Sequence, residues 1–313
     1  MAEPRENITT LPVESRSKFD QRGRARPMLS RDADAMYWMC RYVERAENTA
    51  RMIKSFNVMT LDMPRSVQLS WRGLVSVTGT DAIFNEHYQR DDERNCVKFL
   101  IADAYNPGSV LSTLRAAREN VRTTRDLVPT EAWEVVNELY IFARDNVESG
   151  INKRARFEFL SEIVQRCQTL GGLVAGCMSH DSAFDFICLG RSIERADMTS
   201  RQIDAGAVQL LIGKDDPQPH EGLLWTTVLR AQSGFQMYRQ HVKRRINGVD
   251  VVRFLLQDTL FPRAVAHSVA QARTLTETET IDGALLDGNL SGQRVDELAA
   301  ALTQKSKPFA FVT

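Results

Sequence analysis

The stretch RYVERAENTAR at residues 41–51 recurs as RSIERADMTSR at residues 191–201, and this repeat decides how the chain is interpreted. Six of the eleven positions are identical, and three more differ conservatively. Two further pairs of blocks follow in the same order: Trp71 with Gly79 and Trp225 with Gly234, then residues 99–110 and 254–265. Matches in one order at a nearly constant offset indicate a duplicated domain, and repeats this long are not those of a solenoid.

The composition is that of a globular chain with balanced charge. Its 313 residues are 43% apolar, and 40 basic side chains balance 40 acidic ones. Zero net charge disfavours nucleic acid as a partner, because phosphate binding needs a basic surplus. No stretch approaches about 18 consecutive apolar residues, and the N-terminus lacks the apolar core of a signal peptide, so we expect neither a membrane span nor export.

The five cysteines favour a reduced, cytoplasmic protein. They are Cys40, Cys96, Cys167, Cys177 and Cys188. Their number is odd and none belongs to a Cys-x-x-Cys pair, so we expect free thiols that act as small core residues. Cys188 has apolar neighbours in the sequence and is therefore interpreted as structural rather than nucleophilic.

The hydrophobic pattern is helical along nearly the whole chain. From residue 30 to about 61, apolar side chains recur every three or four residues, as Met36, Met39, Val43, Ala46, Ala50 and Ile53. A second long helix is predicted from 181 to about 211, and shorter ones over roughly 64–71, 92–105, 109–126, 130–146, 154–178, 221–245, 249–257, 262–277 and 293–304. No stretch alternates with a period of two. We therefore predict an all-α protein of two pseudo-symmetric helical-bundle halves that arose by internal duplication.

This pattern divides the chain into three parts. Residues 1–27 are polar, without periodicity, and are predicted to be a disordered N-terminal extension. Residues 28–150 form the first helical repeat. Residues 151–313 are predicted to contain a linking helix, the second helical repeat and a C-terminal helix, in one continuous unit with the first repeat.

The repeated stretch places charged side chains beside the apolar stripe of each long helix. At 100° per residue from Val43, Glu47 lies about 40° away, whereas Arg41 and Arg45 lie almost opposite the stripe. Glutamate or aspartate four residues before arginine forms a favourable pair, as in Glu47 with Arg51. The candidate polar motif consists of Arg41, Glu44, Arg45, Glu47, Arg51, Arg191, Glu194, Arg195, Asp197 and Arg201.

Two interpretations of this motif remain open. In the structural one, the charges pair across neighbouring helices, and Glu44 meets an arginine of the other copy. In the functional one, the Glu/Arg edges converge on a polar pocket that binds a peptide, an amino acid or Mg²⁺. The fold distinguishes them, because Glu44 and Glu194 are either buried against arginines without a cavity or line a pocket.

Other signatures of chemistry are scarce in the sequence. There is no Glu-x-x-His, Gly-rich phosphate loop or Gly-x-Ser-x-Gly elbow, so the catalytic residues are unknown and we expect no metal and no cofactor. Gly171, Gly172 and Gly176 are interpreted as sites of close helix packing. The basic run 243–245 and the apolar residues around Phe261 are candidate contact surfaces.

In combination, several blocks resemble the alpha-E family of helical proteins with a Glu-Arg motif. They are residues 28–31, 37–38, 41–51, 106–110, 117–122, 189–197 and 261–265, with Arg125, Asp126, Trp133 and Asn137. The resemblance spans about residues 28–275, and it places the family's Glu-Arg pair at Glu44-Arg45 and at Glu194-Arg195. This sequence departs from the family in its residues before Met28, which resemble an extension, and in Ala264, where members usually carry serine.

The resemblance implies a cytoplasmic bacterial protein. Members are typically encoded beside a circularly permuted ATP-grasp protein and a transglutaminase-like protein, and ATP-grasp enzymes join carboxylates to amines. It therefore implies a non-enzymatic or accessory role in a system that forms peptide or amide bonds. The alternative is an enzyme or a ligand-binding protein that uses the Glu/Arg pairs of both copies.

Overall fold

The computed structural model describes residues 28–64, 69–212 and 221–277, together with two short strands. Its helices are α1 (Ser30–Asp62), α2 (Arg72–Val77), α3 (Asp81–His87), α4 (Glu93–Ile101), α5 (Val110–Thr123), α6 (Thr130–Asp145), α7 (Val147–Ile151), α8 (Arg156–Cys177), α9 (Ser182–Ile212), α10 (Glu221–Ala231), α11 (Phe235–His241), α12 (Gly248–Gln257) and α13 (Val265–Glu277). The predictions for residues 1–27 and for a helix over 293–304 lie outside the described residues.

A single pair of strands accompanies the helices. Strand β1 (Ala284–Asp287) pairs in parallel with β2 (Phe309–Val312), with Ala284 opposite Phe309. The sequence analysis expected no strand, because runs of four residues are too short for a period of two to be recognised. All other regular secondary structure of the described chain is helical, so the predicted all-α class is confirmed, with this short pair as an addition.

Helix α1 is the centre of the fold. It packs against α5, α8, α9 and α10. The predicted apolar stripe is confirmed, since Met36, Met39, Val43, Ala46, Ala50 and Ile53 are all buried. The opposite face is buried as well at Arg41, which is 1% exposed. A helix surrounded by neighbours buries polar positions too, which a one-sided helical wheel does not anticipate.

The two long helices run in the same direction and lie close together near their beginnings. Tyr37 of α1 lies against Gly190 of α9, and Arg41 reaches Glu194 one turn further along both helices. A Cβ at position 190 would collide with the carbonyl oxygen of Tyr37. Gly190 therefore permits the close approach of the two backbones that brings the charged motifs together.

Helix order recurs along the chain. Helix α3 (Asp81–His87) has the same length as α11 (Phe235–His241), and both ends are displaced by 154 residues (235 − 81 and 241 − 87). The next helix in each half also has an N-cap of the same kind. Asp92 caps α4 by accepting from the Asn95 N–H, and Asn247 caps α12 by accepting from the Asp250 N–H. A long helix followed by four shorter ones is thus seen twice, as α1–α5 and as α9–α13.

Two predicted helices have different bounds. The segment predicted as one helix over 221–245 is two helices, because Ser233 adopts a left-handed conformation with φ of 52° between them. Gly79 has φ of 70° at the position 154 residues earlier, so the conformational equivalent of Gly79 is Ser233, not Gly234. The helix predicted to begin at Pro64 was also wrong: Pro64 is not helical, and α2 begins at Arg72.

Candidate functional site

Glu194 lies in a closed ion-pair cluster between the two long helices. It is 0% exposed, and its Oε2 accepts a hydrogen bond of 2.5 Å from Arg41 Nε. Arg45 donates two more, from Nε to Oε1 at 2.6 Å and from Nη2 to Oε2 at 2.9 Å. Burial raises the pKa of Glu194, but the charges and hydrogen bonds of Arg45 and Arg41 outweigh it, so the pKa lies below its usual value.

Glu44, the counterpart of Glu194, is held by Arg195 of α9 and by Arg263, which lies just before α13. Arg263 Nη1 lies 2.7 Å from Glu44 Oε1, and Arg195 Nε lies 3.1 Å from Oε2. Asn48 Nδ2 also donates to Oε1, at 3.3 Å. Burial is the largest single influence and raises the pKa of Glu44, but the attraction of Arg263 and Arg195 lowers it to about 2. Glu44 is therefore a carboxylate at neutral pH.

The Glu-Arg pairs at 44–45 and 194–195 are called here the ER motifs. The arginine of each motif lies against the glutamate of the other. Arg45 binds Glu194, and Arg195 lies beside Glu44. The expectation that Glu44 meets an arginine of the other copy is thus confirmed. Such buried pairs contribute little net stability compared with apolar side chains, but losing one partner leaves a charge uncompensated, at a cost of about 3–5 kcal/mol.

The remaining pairs of the candidate motif are local. Arg51 donates from Nε and Nη2 to Glu47 Oε1, at 2.8 and 2.6 Å, and both residues are buried. Asp197 accepts from Arg201 Nε at 2.8 Å, in a more exposed position. Both i,i+4 pairs expected from the sequence are present.

Arg263 is the functional residue that sequence reasoning missed. It is 7% exposed, and besides Glu44 it binds Glu47 Oε1 through Nη2 at 2.9 Å and Asn48 Oδ1 through Nη1 at 2.7 Å. It lies before α13, where the matching block of the first repeat has Gly108. An arginine at the position of a glycine, inside an otherwise similar block, was the available signal.

Beside Glu44 the helices enclose a cavity of about 370 Å³. Its polar wall consists of Glu44, Glu47, Arg51, Gln168, Arg191, Arg195, Gln232, Ser233 and Arg263. Its apolar wall consists of Met39, Cys40, Val43, Cys167, Leu170, Gly171, Val174, Ile187, Phe261 and Pro262. Five of the ten candidate motif residues line the cavity, whereas Arg41, Arg45, Glu194, Asp197 and Arg201 lie outside its lining.

Several hydrogen-bond donors of the cavity wall are not saturated. Gln232 is 0% exposed, and its Nε2 has no hydrogen-bond partner, although its Oε1 accepts from Thr199. Arg195 Nε is close to Glu44 but lacks hydrogen-bond geometry with it. Arg191 Nη2 donates to the Cys188 sulfur at 3.2 Å. Buried donors without partners are unfavourable, and the partly exposed guanidinium groups of Arg191 and Arg195 can receive acceptor atoms in the cavity.

The thiols and glycines of this region have structural surroundings. Burial raises the pKa of Cys40 to about 12 and the pKa of Cys167 well above its usual value, so neither is a thiolate at neutral pH. All five cysteines are free. The packing role predicted for Gly171, Gly172 and Gly176 was wrong, because a Cβ at any of them would have no heavy atom within 4 Å.

Of the candidate contact surface around Phe261, the Phe261 side chain itself is 6% exposed and lines the cavity, whereas the neighbouring Leu260 is 76% exposed. Across residues 28–64, 69–212 and 221–277, no group of three His, Cys, Asp or Glu side chains could hold a metal ion. Over the same ranges, none of the helices is both long and apolar enough to cross a membrane.

Comparison with known proteins identifies a family whose description includes the ER motif. The chain belongs to the Alpha-E family, which is described as a predicted alpha-helical domain with a conserved ER motif, and residues 28–306 match it. Uncharacterised proteins of Mycobacterium bovis and of two Mycobacterium tuberculosis strains are 23% identical to it over 264 residues. The match covers 76% of this chain but only 28% of each of these relatives. No solved structure matches significantly.

Proposed function

We propose that this chain is a ligand-binding accessory protein that serves an amide- or peptide-bond-forming system in a bacterial cytoplasm. The observation that carries the proposal is that the two ER glutamates have different surroundings. Glu194 is sealed between helices, whereas Glu44 forms part of the wall of a cavity. One motif thus holds the fold together, and the other also borders a space for a small molecule.

The cavity has the general properties of a small-molecule site. Such sites are clefts of about 300–1,000 Å³ with mostly apolar walls and a few placed polar groups. Here the polar groups come from α1, α8, α9, the residues just after α10 and the segment before α13, so the site requires both halves of the chain. A purely structural ion-pair cluster would leave no such space beside Glu44.

We propose a circularly permuted ATP-grasp protein as the partner, with a transglutaminase-like protein as a second candidate. The support is the family resemblance together with the length of the mycobacterial relatives. In each of them the aligned part is 28% of the protein, so the segment is covalently joined to much additional chain. This arrangement favours a role beside other folded units.

We also propose that the two halves arose by internal duplication and are related by an approximate two-fold axis. The support is the recurrence of helix order, the left-handed residues Gly79 and Ser233, and the reciprocal Arg45–Glu194 and Arg195–Glu44 pairs. A symmetric contact of this kind is self-complementary. In an experimental structure, α1–α5 should superpose on α9–α13 after a rotation near 180°, with Glu44 over Glu194. Unrelated positions of these two side chains would exclude the duplication.

The functional proposal is tested by reconstitution. The protein is mixed with the ATP-grasp and transglutaminase-like proteins proposed as its partners, complex formation is measured by size-exclusion chromatography, and ATP-dependent ligation is measured with and without it. We expect a complex and faster ligation, and no ATP hydrolysis, ligation or peptide cleavage by the isolated chain. Multiple turnovers by the isolated chain, abolished by Glu44→Gln, would instead establish the enzyme alternative.

Two neighbouring glycines of α8 allow a test substitution that fills the cavity and a control substitution that does not. Gly171 lines it and has open space at its Cβ, whereas the neighbouring Gly172 does not line it. Gly171→Leu should fill the cavity and reduce the stimulation of ligation while the complex still forms. Gly172→Leu should behave as the wild type. If Gly171→Leu is also fully active, the cavity has no part in the function.

A further inference from the structure

We infer that the cavity binds an organic anion, meaning a molecule with a carboxylate or phosphate head and an apolar body. The inference rests on the proposed ligand-binding function and specifies its ligand class. Its basis is the charge of the wall: four arginines face two carboxylates. They are Arg51, Arg191, Arg195 and Arg263 against Glu44 and Glu47. A positive excess in a partly enclosed space is unfavourable unless an anion compensates it.

The carboxylates of the wall are already occupied by fixed cations. Glu47 Oε1 receives Arg51 Nε, Arg51 Nη2 and Arg263 Nη2 within 2.9 Å. Glu44 receives Arg263 and Asn48 at Oε1 and has Arg195 at Oε2. The arginines around both carboxylates repel an ammonium group or a Mg²⁺ ion, so the wall disfavours a cationic ligand.

The available donors lie together on one side. Arg191 and Arg195 are four residues apart on α9 and therefore share a face, and both line the cavity. In the described part of the chain, no carboxylate lies within 4 Å of the Arg191 guanidinium. Gln232 also lines the cavity, as a buried residue. Guanidinium groups bind carboxylates and phosphates through paired, charge-assisted hydrogen bonds.

The rest of the wall indicates what is attached to the anionic head. Met39, Val43, Leu170, Val174, Ile187 and Phe261 supply an apolar surface. A bare inorganic ion would leave this surface and most of the roughly 370 Å³ unused. Aliphatic or aromatic carbon in the ligand would cover it, which is favourable in proportion to the apolar area removed from water.

The test is a thermal-shift and calorimetric titration of the full chain with hexanoate, phenyl phosphate and inorganic phosphate. Hexanamide, hexylamine and MgCl₂ serve as neutral and cationic comparisons. We expect saturable binding of at least one organic anion, weaker binding of inorganic phosphate and no binding of the comparisons. The stronger of hexanoate and phenyl phosphate identifies the head group as carboxylate or phosphate.

Two arginines provide the matched variants. Arg191→Gln removes an available donor without breaking an ion pair, and should weaken binding of the organic anion about tenfold or more. Arg201→Gln changes an arginine of the same helix outside the cavity and should leave binding unchanged. Equal weakening by both variants, or no binding of any organic anion, would overturn the inference. Preferential binding of hexylamine or hexanamide, blocked by Gly171→Leu, would overturn the anion class but leave the ligand-binding proposal standing.

Discussion

Arg45 donates two hydrogen bonds to Glu194, at 2.6 and 2.9 Å, although 149 residues separate them in the chain. Arg195 approaches Glu44 in the opposite sense, at 3.1 Å. Each ER motif is therefore completed by the other, and neither forms its ion pairs within its own helix. This relationship gives the first two predictions below, which concern the strength and the specificity of the cross-helix pairs.

Glu194→Gln should lower the free energy of unfolding by about 3–5 kcal/mol, because Arg41 and Arg45 then lose their buried counter-charge. Urea unfolding of the purified protein measures this change. The matched control is Asp197→Asn in the same motif, whose partner Arg201 is more than one-third exposed. That substitution should cost about 1 kcal/mol or less. Equal losses for the two variants would show that the burial of Glu194 has no energetic role.

A double-mutant cycle should detect the coupling energy between the arginine of one ER motif and the glutamate of the other. Arg45→Met and Glu194→Gln should be non-additive by about 1–3 kcal/mol, because the residues are in direct contact. Arg45→Met with Glu44→Gln should be nearly additive, since these sequence neighbours form no ion pair with each other in the described chain. If coupling is instead larger within one motif than between motifs, the reciprocal arrangement is wrong.

Acid should destabilise the protein in a defined pH window. The arginines around Glu44 hold its pKa at about 2, below the ordinary 4.5. The unfolded chain therefore takes up this proton first as the pH falls. The contribution of Glu44 is complete above about pH 4.5 and should be lost between about pH 4.5 and 2, at a cost of a few kcal/mol. Urea unfolding at pH 6, 4 and 3 measures the loss, and Glu44→Gln should make the pH dependence shallower.

Gly190→Ala should destabilise the protein by about 1–3 kcal/mol, because the new methyl group would collide with the Tyr37 carbonyl and separate the long helices. The control is Gly172→Ala in α8, where the Cβ meets nothing within 4 Å. Alanine there should stabilise the helix by up to about 1 kcal/mol. Thermal unfolding of both variants tests the pair, and a neutral Gly190→Ala would contradict the close approach.

Helix positions and the apolar stripe of α1 could be predicted because they depend on local periodicity. The i,i+4 pairs at Glu47–Arg51 and Asp197–Arg201 were predicted for the same reason. The burial of Arg41 could not be predicted, since a helical wheel does not show how many neighbours surround the helix. Arg263 and Gln232 lie after the repeated charged stretch and reach the site only through the tertiary fold. No local pattern connects Arg263 with Glu44, which is 219 residues earlier (263 − 44).

The parallel alignment of the two long helices has a consequence for how the chain folds. Glu194 is 149 residues from its partner Arg45 and 153 from Arg41, so while the chain is being synthesised the first motif exists for some time without this carboxylate. During that interval, α1 cannot be enclosed without stranding Arg41 and Glu44 in a medium of low dielectric constant. Contacts between such distant segments also form slowly. We therefore expect the first half to remain loosely packed until α9 has been synthesised, so that the ER motifs delay the final collapse until both halves are present.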